Sequence, residues 1–124
     1  MTVVVTLQLP RDREFHGVAH LVLGGLAARL DLTYDVLEDM TTAIDELLER
    51  RDLEEELTLS LEIEEGAIVA VVGPFDGSID AELHTSDEGL GLRRVLETVV
   101  DHVDVGEREG RHWVELRKQL EDRG

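Results

Sequence analysis

"LTYDVLEDMTTAIDELLERR", residues 32–51, is the stretch whose reading decides the fold. Val36, Leu37, Met40, Ala43, Ile44, Leu47 and Leu48 recur every three or four positions, the period of a helix that buries one face. Thr33 stands where an N-cap accepts from a free backbone amide, and Asp35 lies in the positive first turn. The other side is acidic, with Glu38, Asp39, Asp45 and Glu49, and it reads as an exposed helix surface. The stretch closes on Arg50 and Arg51, and Arg50 lies four residues, one helical turn, after Glu46.

On the N-terminal side, "TVVVTLQLP" (2–10) alternates Val3, Val5, Leu7 and Leu9 against smaller or polar residues, a strand stopped by Pro10. A helix follows from about residue 12, its apolar set including Val18, Leu21, Val22, Gly25, Leu26 and Leu30; Gly24 and Gly25 would let a neighbour approach closely. On the C-terminal side, "DLEEE" (52–56) reads as a solvated connection. "LTLSLEI" (57–63) then alternates as a strand with one wet face, and "EEG" turns it into "AIVAVV" (67–72), apolar on both faces and hence central. Gly73 to about Asp87 carries Gly, Pro, Asp and Ser and reads as a loop. A third helix is expected from near Gly89 to about His102, and "VDVGEREGRHWVELRKQL" (103–120) as a closing hairpin. The order β, α, α, β, β, α, β, β predicts an α+β fold: a two-layer sandwich with helices on one face of a mostly antiparallel sheet, in one domain over 1–124.

Composition limits the functions such a domain can have. Twelve Lys and Arg stand against 29 Asp and Glu, a net charge of −17. Nucleic acid is an unfavourable ligand for such a chain, because binding it relies on clustered cations that neutralise phosphates. A basic protein surface would instead be attracted. Cys is absent, which removes thiol chemistry and Cys-based zinc sites and suits a reducing compartment. The longest uncharged apolar run, "GVAHLVLGGLAA" (17–28), is too short to span a bilayer, and Met1 leads straight into a strand pattern rather than a signal peptide. A soluble, cytoplasmic protein without a membrane partner is expected.

Two segments carry a family resemblance. "LVLGGLAARLDLTYDVLEDMTTAIDE" (21–46) and "GLGLRRVLETVVDHVDVGEREGRHWVELRKQL" (89–120) closely resemble the bacterial anti-sigma-factor serine-protein kinases, members of the GHKL, or histidine-kinase-like, ATPase superfamily. The resemblance implies that fold, sigma-factor and antagonist partners, and protomers that dimerise. It also implies a nucleotide site, which can be compared residue by residue. The family's second helix carries a Glu that serves phosphoryl transfer and, four residues on, an Asn that ligates Mg²⁺. Glu46 matches the first, and Arg50 stands in place of the second. Mg²⁺ requires hard oxygen ligands; a guanidinium offers five donors, no lone pair and a fixed positive charge.

The family's Asp-x-Gly-x-Gly, whose Asp reads the adenine amino group, falls by alignment on "GPFDG": Gly73 replaces the Asp, Phe75 the middle Gly, and Gly77 alone agrees. Sliding the register to Asp76 places Ser78 where Gly is required. "GLGL" retains Gly89 and Gly91 at a helix start, where free amides can hold phosphate or where glycines simply permit a tight turn. Arg50 likewise has two readings, an ion pair with Glu46 or a phosphate ligand in a magnesium-independent pocket.

These departures lead to the expectation of a vestigial pocket (Glu46, Arg50, Gly73, Gly77, Gly89, Gly91) with no catalytic residue, no metal and no ATP. The function expected is transcription control by protein–protein interaction, with an active divergent ATP-dependent serine-protein kinase as the alternative and a purely structural subunit as a third reading. Other constellations carry less. His16 and His20 share a helical face at the spacing of a two-His metal site but lack an HExxH pattern. His84 near Asp80, Glu82 and Ser86 lacks a nucleophile turn. Trp113 and Glu115 alternate with Val114 and Leu116, which places the lone Trp on the face opposite the helices or against a partner.

Overall fold

A computed structural model of the chain describes residues 3–10, 12–49, 53–64, 66–76, 79 and 91–120. Strand β1 (Val3–Pro10) is followed by a 3-10 turn (Arg13–Phe15), helix α1 (His16–Leu30) and helix α2 (Tyr34–Leu48). Then come β2 (Leu53–Glu64), β3 (Ala67–Phe75), α3 (Leu92–Val99), β4 (His102–Arg108) and β5 (Arg111–Gln119). The strands form one sheet in the order β1-β2-β3-β5-β4, and every neighbouring pair is antiparallel. This is the α+β architecture that the alternating periods predict.

The register explains why one sheet face holds the core. Leu7 pairs with Leu59 and Leu9 with Leu57, Leu61 with Ala70, and Val72 with Val114, so each row adds apolar side chains to the same face. Leu57, Leu59, Leu61, Ile68, Ala70, Val72, Val103, Val114 and Leu116 are all buried there under the helices. Thr6, Gln8, Thr58, Ser60, Glu62, Trp113, Glu115 and Arg117 alternate onto the other face. β3 is central, and its Ala67 and Val69 are buried on that second face as well.

α2 packs between α1 and α3 and meets β5, while α3 packs on β4. Its buried set is Val36, Met40, Ala43, Ile44, Leu47 and Leu48, and Thr33 Oγ1 accepts from the Val36 amide at 3.2 Å as the expected N-cap. The α1–α2 turn passes through Asp31 at φ 55, and Leu32 N–H donates to Ala27 O. Among the described residues no helix is long and apolar enough to cross a membrane.

Three boundaries differ from the sequence reading. "DLEEE" is not a solvated connection from Leu53 onward: β2 starts there, because Leu53 pairs with Phe75 across a register shift and Glu56 with Pro10. Backbone pairing on both sides outweighs the local charge run. β3 extends past Val72 through Gly73 and Pro74 to Phe75 rather than yielding to a loop; of the loop expected beyond Gly77 only Ile79 is described, and it is buried in the core. α3 ends at Val99, since Val100 is extended at φ −124, ψ 166 and His102 already opens β4. α1 also differs from its expected apolar set: it buries Ala19, Leu23, Leu26 and Ala27 while Val18 and Leu21 are exposed, and a Cβ at Gly24 or Gly25 would meet nothing within 4 Å among the described residues.

Candidate functional site

The residues that the family resemblance brings together come from α2, the end of β3 and the start of α3. Glu46 is half-buried on α2. Arg50, Gly77 and Gly89 lie outside the described residues, as do Asp80, Glu82, His84 and Ser86. Gly91 is the N-cap of α3 at φ −59, ψ 153, and a Cβ there would meet nothing within 4 Å. Among the described residues neither backbone conformation nor crowding demands glycine at that position. No side chain caps the first-turn amides of α3 from residue 91.

Gly73 is placed elsewhere than a pocket residue would be. It pairs with Thr58 on the sheet face opposite the helices, and a Cβ built on it would fall 2.7 Å from Trp113 Cε3 and 2.8 Å from Trp113 Cδ2. The indole therefore lies against the bare backbone of β3, and the glycine exists to admit it. Two residues on, Phe75 pairs with His112 and is fully buried within the hydrophobic core. The end of β3 thus offers the helix layer an aliphatic and an aromatic side chain, Val72 and Phe75, and no carboxylate.

The acidic side of α2 is not the free surface that its spacing predicts. Tyr34 Oη donates to Glu38 Oε2 at 2.9 Å, a bond that, first among its causes, holds the phenol's pKa up. Lys118 Nζ meets Asp39 Oδ2 at 2.9 Å, His20 Nε2 meets Asp45 Oδ1 at 2.6 Å, and Arg13 donates to Glu49 Oε1 at 2.9 Å. Asp39 and Asp45 are half-buried, so only Glu38 and Glu49 remain on the exposed helix face. Each acid holds α2 to itself, to α1, to the preceding 3-10 turn or to the sheet. Lys118, the sole lysine beside eleven arginines, carries no functional signal by composition alone, yet the alternation Val114, Leu116, Lys118 places it on the inner face.

With this geometry in view, the relatives are informative. The chain is 27% identical to the serine-protein kinase RsbW of Bacillus subtilis strain 168 over 128 aligned positions, 86% of this chain and 79% of the relative. It is 29% identical to the RsbW of Listeria monocytogenes serovar 1/2a over 129 positions, 86% and 81% of the two. Over most of its length, then, the chain is similar to serine-protein kinases RsbW. No protein-family model matches it. In structure it resembles the RsbW part of a Mycobacterium tuberculosis protein whose RsbU and RsbW domains were crystallised together, with a TM-score of 0.70 at 16% identity. That match covers 95% of this chain but 32% of the larger one, and it carries the fold alone.

Three further features lie outside the compared pocket. His16 and His20 do not converge: His20 is engaged with Asp45, and the buried Nε2 of His16 has no partner among the described residues. Among those residues no group of three His, Cys, Asp or Glu side chains could hold a metal. A cavity of about 210 Å³ opens at the N-terminal end of α2, lined by Asp35, Asp39, Asp101 and Lys118 with Val36, Gln119 and Leu120. On the outer sheet face the Arg108 guanidinium sits 5.7 Å from the Trp113 ring centre, and Arg117 donates to Glu64 at 2.6 Å. Nearby, loss of hydration, then a hydrogen bond and repulsion from Glu64, raise the Glu62 pKa above its ordinary value.

Proposed function

We propose that this RsbW homologue controls transcription by binding protein partners, an RNA polymerase sigma factor and a small antagonist of that binding, and that it does so without nucleotide. The observation that carries the second half is the end of β3. A GHKL site reads adenine with a carboxylate at that strand end, whereas here Gly73 is covered by Trp113 on the far face and Phe75 fills the core. Arg50, at the place where the resemblance calls for a Mg²⁺-binding Asn, supports the same reading, since a cation with no lone pair cannot ligate another cation. Partner exchange would then be governed by competition between proteins. The acids of α2 are not assigned to that contact, because Asp39, Asp45 and Glu49 already hold intramolecular partners.

A second reading, an active serine-protein kinase, is favoured by the activity of the relatives, by Glu46 and by the glycine N-cap at the start of α3. Titration calorimetry with Mg·ATP and Mg·ADP separates the two. The expected result is no saturable heat and a flat thermal shift at millimolar nucleotide. Nucleotide at a thousandfold excess over its Kd would add about 4 kcal/mol of stability. A micromolar Kd, or transfer of phosphate to a serine of a co-purified antagonist, would establish the kinase. Sigma-factor affinity that is unchanged by nucleotide supports the proposal.

A further inference from the structure

The cavity at the N-terminal end of α2 is built by three parts of the fold: the first turns of α2, Asp101 at the α3–β4 junction, and the end of β5. Its charge is uneven, for Asp35, Asp39 and Asp101 face a single cation, Lys118. Two of these carboxylates are fixed in place. Lys118 Nζ meets Asp39 Oδ2 at 2.9 Å, and Asp101 Oδ2 accepts from the Gln119 amide at 2.7 Å. Asp35 stands apart from the acids along the outer side of α2, having no hydrogen-bond or ion-pair partner among the described residues. Among those residues, then, Asp35 and Asp101 have no cationic partner, in a hollow whose lining also includes the apolar Val36 and Leu120.

This lining restricts what can enter. An anion would meet three carboxylates, and the helix-start amides that would attract it are taken: Val36 N–H donates to Thr33 Oγ1 and Leu37 N–H to Thr33 O. Among the described residues no group of three His, Cys, Asp or Glu side chains could hold a metal. At about 210 Å³ the hollow also falls below the roughly 300–1,000 Å³ of small-molecule sites. A single cationic side chain meets every condition: its ammonium or guanidinium suits the carboxylates, and its hydrocarbon stem suits Val36 and Leu120.

A second feature, independent of the acids, marks the same end of α2 as a contact surface. Tyr34 immediately precedes Asp35 and is 71% exposed. It is the only tyrosine of the chain, and its hydrogen bond to Glu38 ties it to the helix surface. Tyrosine and arginine are enriched among the residues that anchor protein interfaces, and a tyrosine ring also attracts a cation to its face.

We propose that this end of α2 is a docking surface for a basic segment of the partner protein, which inserts one Arg or Lys side chain into the cavity beside Asp35 and Asp101 while the neighbouring residues of the segment pack on Tyr34. The assignment rests on the reading of the chain as a binder of proteins. Charge complementarity selects the occupant, since a chain of net charge −17 attracts basic surfaces and repels its own copies. The surface lies at the opposite end of α2 from Glu46, apart from the pocket compared above.

Two measurements test it. In the first, the isotope-labelled chain is titrated by NMR with acetyl-Ala-Ala-Arg-Ala-Ala-amide and with the same peptide carrying Gln in place of Arg. The amides of Asp35, Asp101 and Gln119 are expected to shift saturably with the Arg peptide alone, and Asp35→Asn to abolish the shifts. No shift, shifts spread evenly over the acidic surface, or equal shifts with the Gln peptide would overturn the proposal. In the second, calorimetry follows the intact chain with a purified sigma factor and a purified antagonist. Asp35→Asn and Tyr34→Ala, with unchanged circular dichroism spectra, are each expected to weaken one of these complexes about tenfold. Glu107→Gln, which removes the same unit of charge from an exposed position near the far end of β4 from Asp101, is expected to weaken it by less than about twofold. Parent-like binding by both variants, or an equal loss in Glu107→Gln, overturns the docking surface and leaves protein binding standing. A parent chain that binds neither protein overturns the proposed function instead, and the peptide titration then decides this surface by itself.

Discussion

Gly73 and Trp113 form a couple in which each explains the other, and two residue-scale predictions follow from the outer sheet face. Gly73→Asp, the substitution that nominally restores an adenine-reading carboxylate, drives its Cβ into the indole. Denaturant melts are expected to show a loss of about 1–3 kcal/mol, the usual cost of overpacking, with no gain of ATP binding. A further Trp113→Ala change should recover part of that loss, because the two sites share one space; strict additivity would show that the indole is not the obstacle. At Glu62 the pKa is raised, chiefly by loss of hydration and then by Glu64. An acid whose pKa is higher folded than unfolded binds its proton more tightly in the folded state, so its ionisation weakens the fold as pH rises through and above its ordinary value near 4.5. Glu62→Gln is accordingly expected to raise the melting temperature at pH 7 and to give no gain at pH 4, where the parent carboxyl already holds a proton. A substitution that destabilises at both pH values would contradict the assignment.

α2 shows how an element can read as a surface and behave as a strut. Its hydrophobic period fixes the buried side, and that side is buried as expected. Its acidic side reaches outward to Lys118 of β5, His20 of α1 and Arg13. Asp39→Lys would set two ammonium groups against each other where Asp39 and Lys118 now meet at 34% and 20% side-chain exposure. A loss of roughly 1–3 kcal/mol is expected, above the level of an exposed pair because both groups are partly withdrawn from water. Glu38→Lys touches only the Tyr34 contact one turn back and should stay within about 0.5 kcal/mol of the parent. Thermal melts of the two variants side by side test this. Equal stability would mean that the Lys118 pair contributes nothing, and would return Asp39 to the free surface.

For the whole molecule, a net charge of −17 favours encounter with a basic partner and opposes encounter between copies except across neutral surface. Association with a sigma factor or antagonist should therefore slow steeply as salt rises from low to physiological levels, while dissociation changes less, since rim charges act mainly on encounter. Stopped-flow kinetics at several ionic strengths would check this, and an association rate indifferent to salt would show that the contact is uncharged.

The element order, the buried faces of α2 and of the strands and the one-sided helix layer were legible in the sequence, because a period of two or of 3.6 is a property of neighbouring residues; α1 was not, since it is apolar nearly all round and buries Ala19, Leu23 and Ala27 while Val18 and Leu21 stay exposed. Thr33 as a cap and Glu46 one turn before Arg50 are equally local. What the sequence left open depends on register between distant strands. Gly73 read as a missing carboxylate until its pairing with Thr58 turned it to the far face, beneath Trp113. Asp39 and Asp45 read as solvated until the fold brought Lys118 and His20 to them from positions 79 and 25 residues away. No local pattern states which strand will lie at an edge; the order β1-β2-β3-β5-β4 alone places β1 and β4 at the two edges among the described residues. Periodicity decides which way a side chain faces relative to its own element; only the tertiary structure decides what stands in front of it.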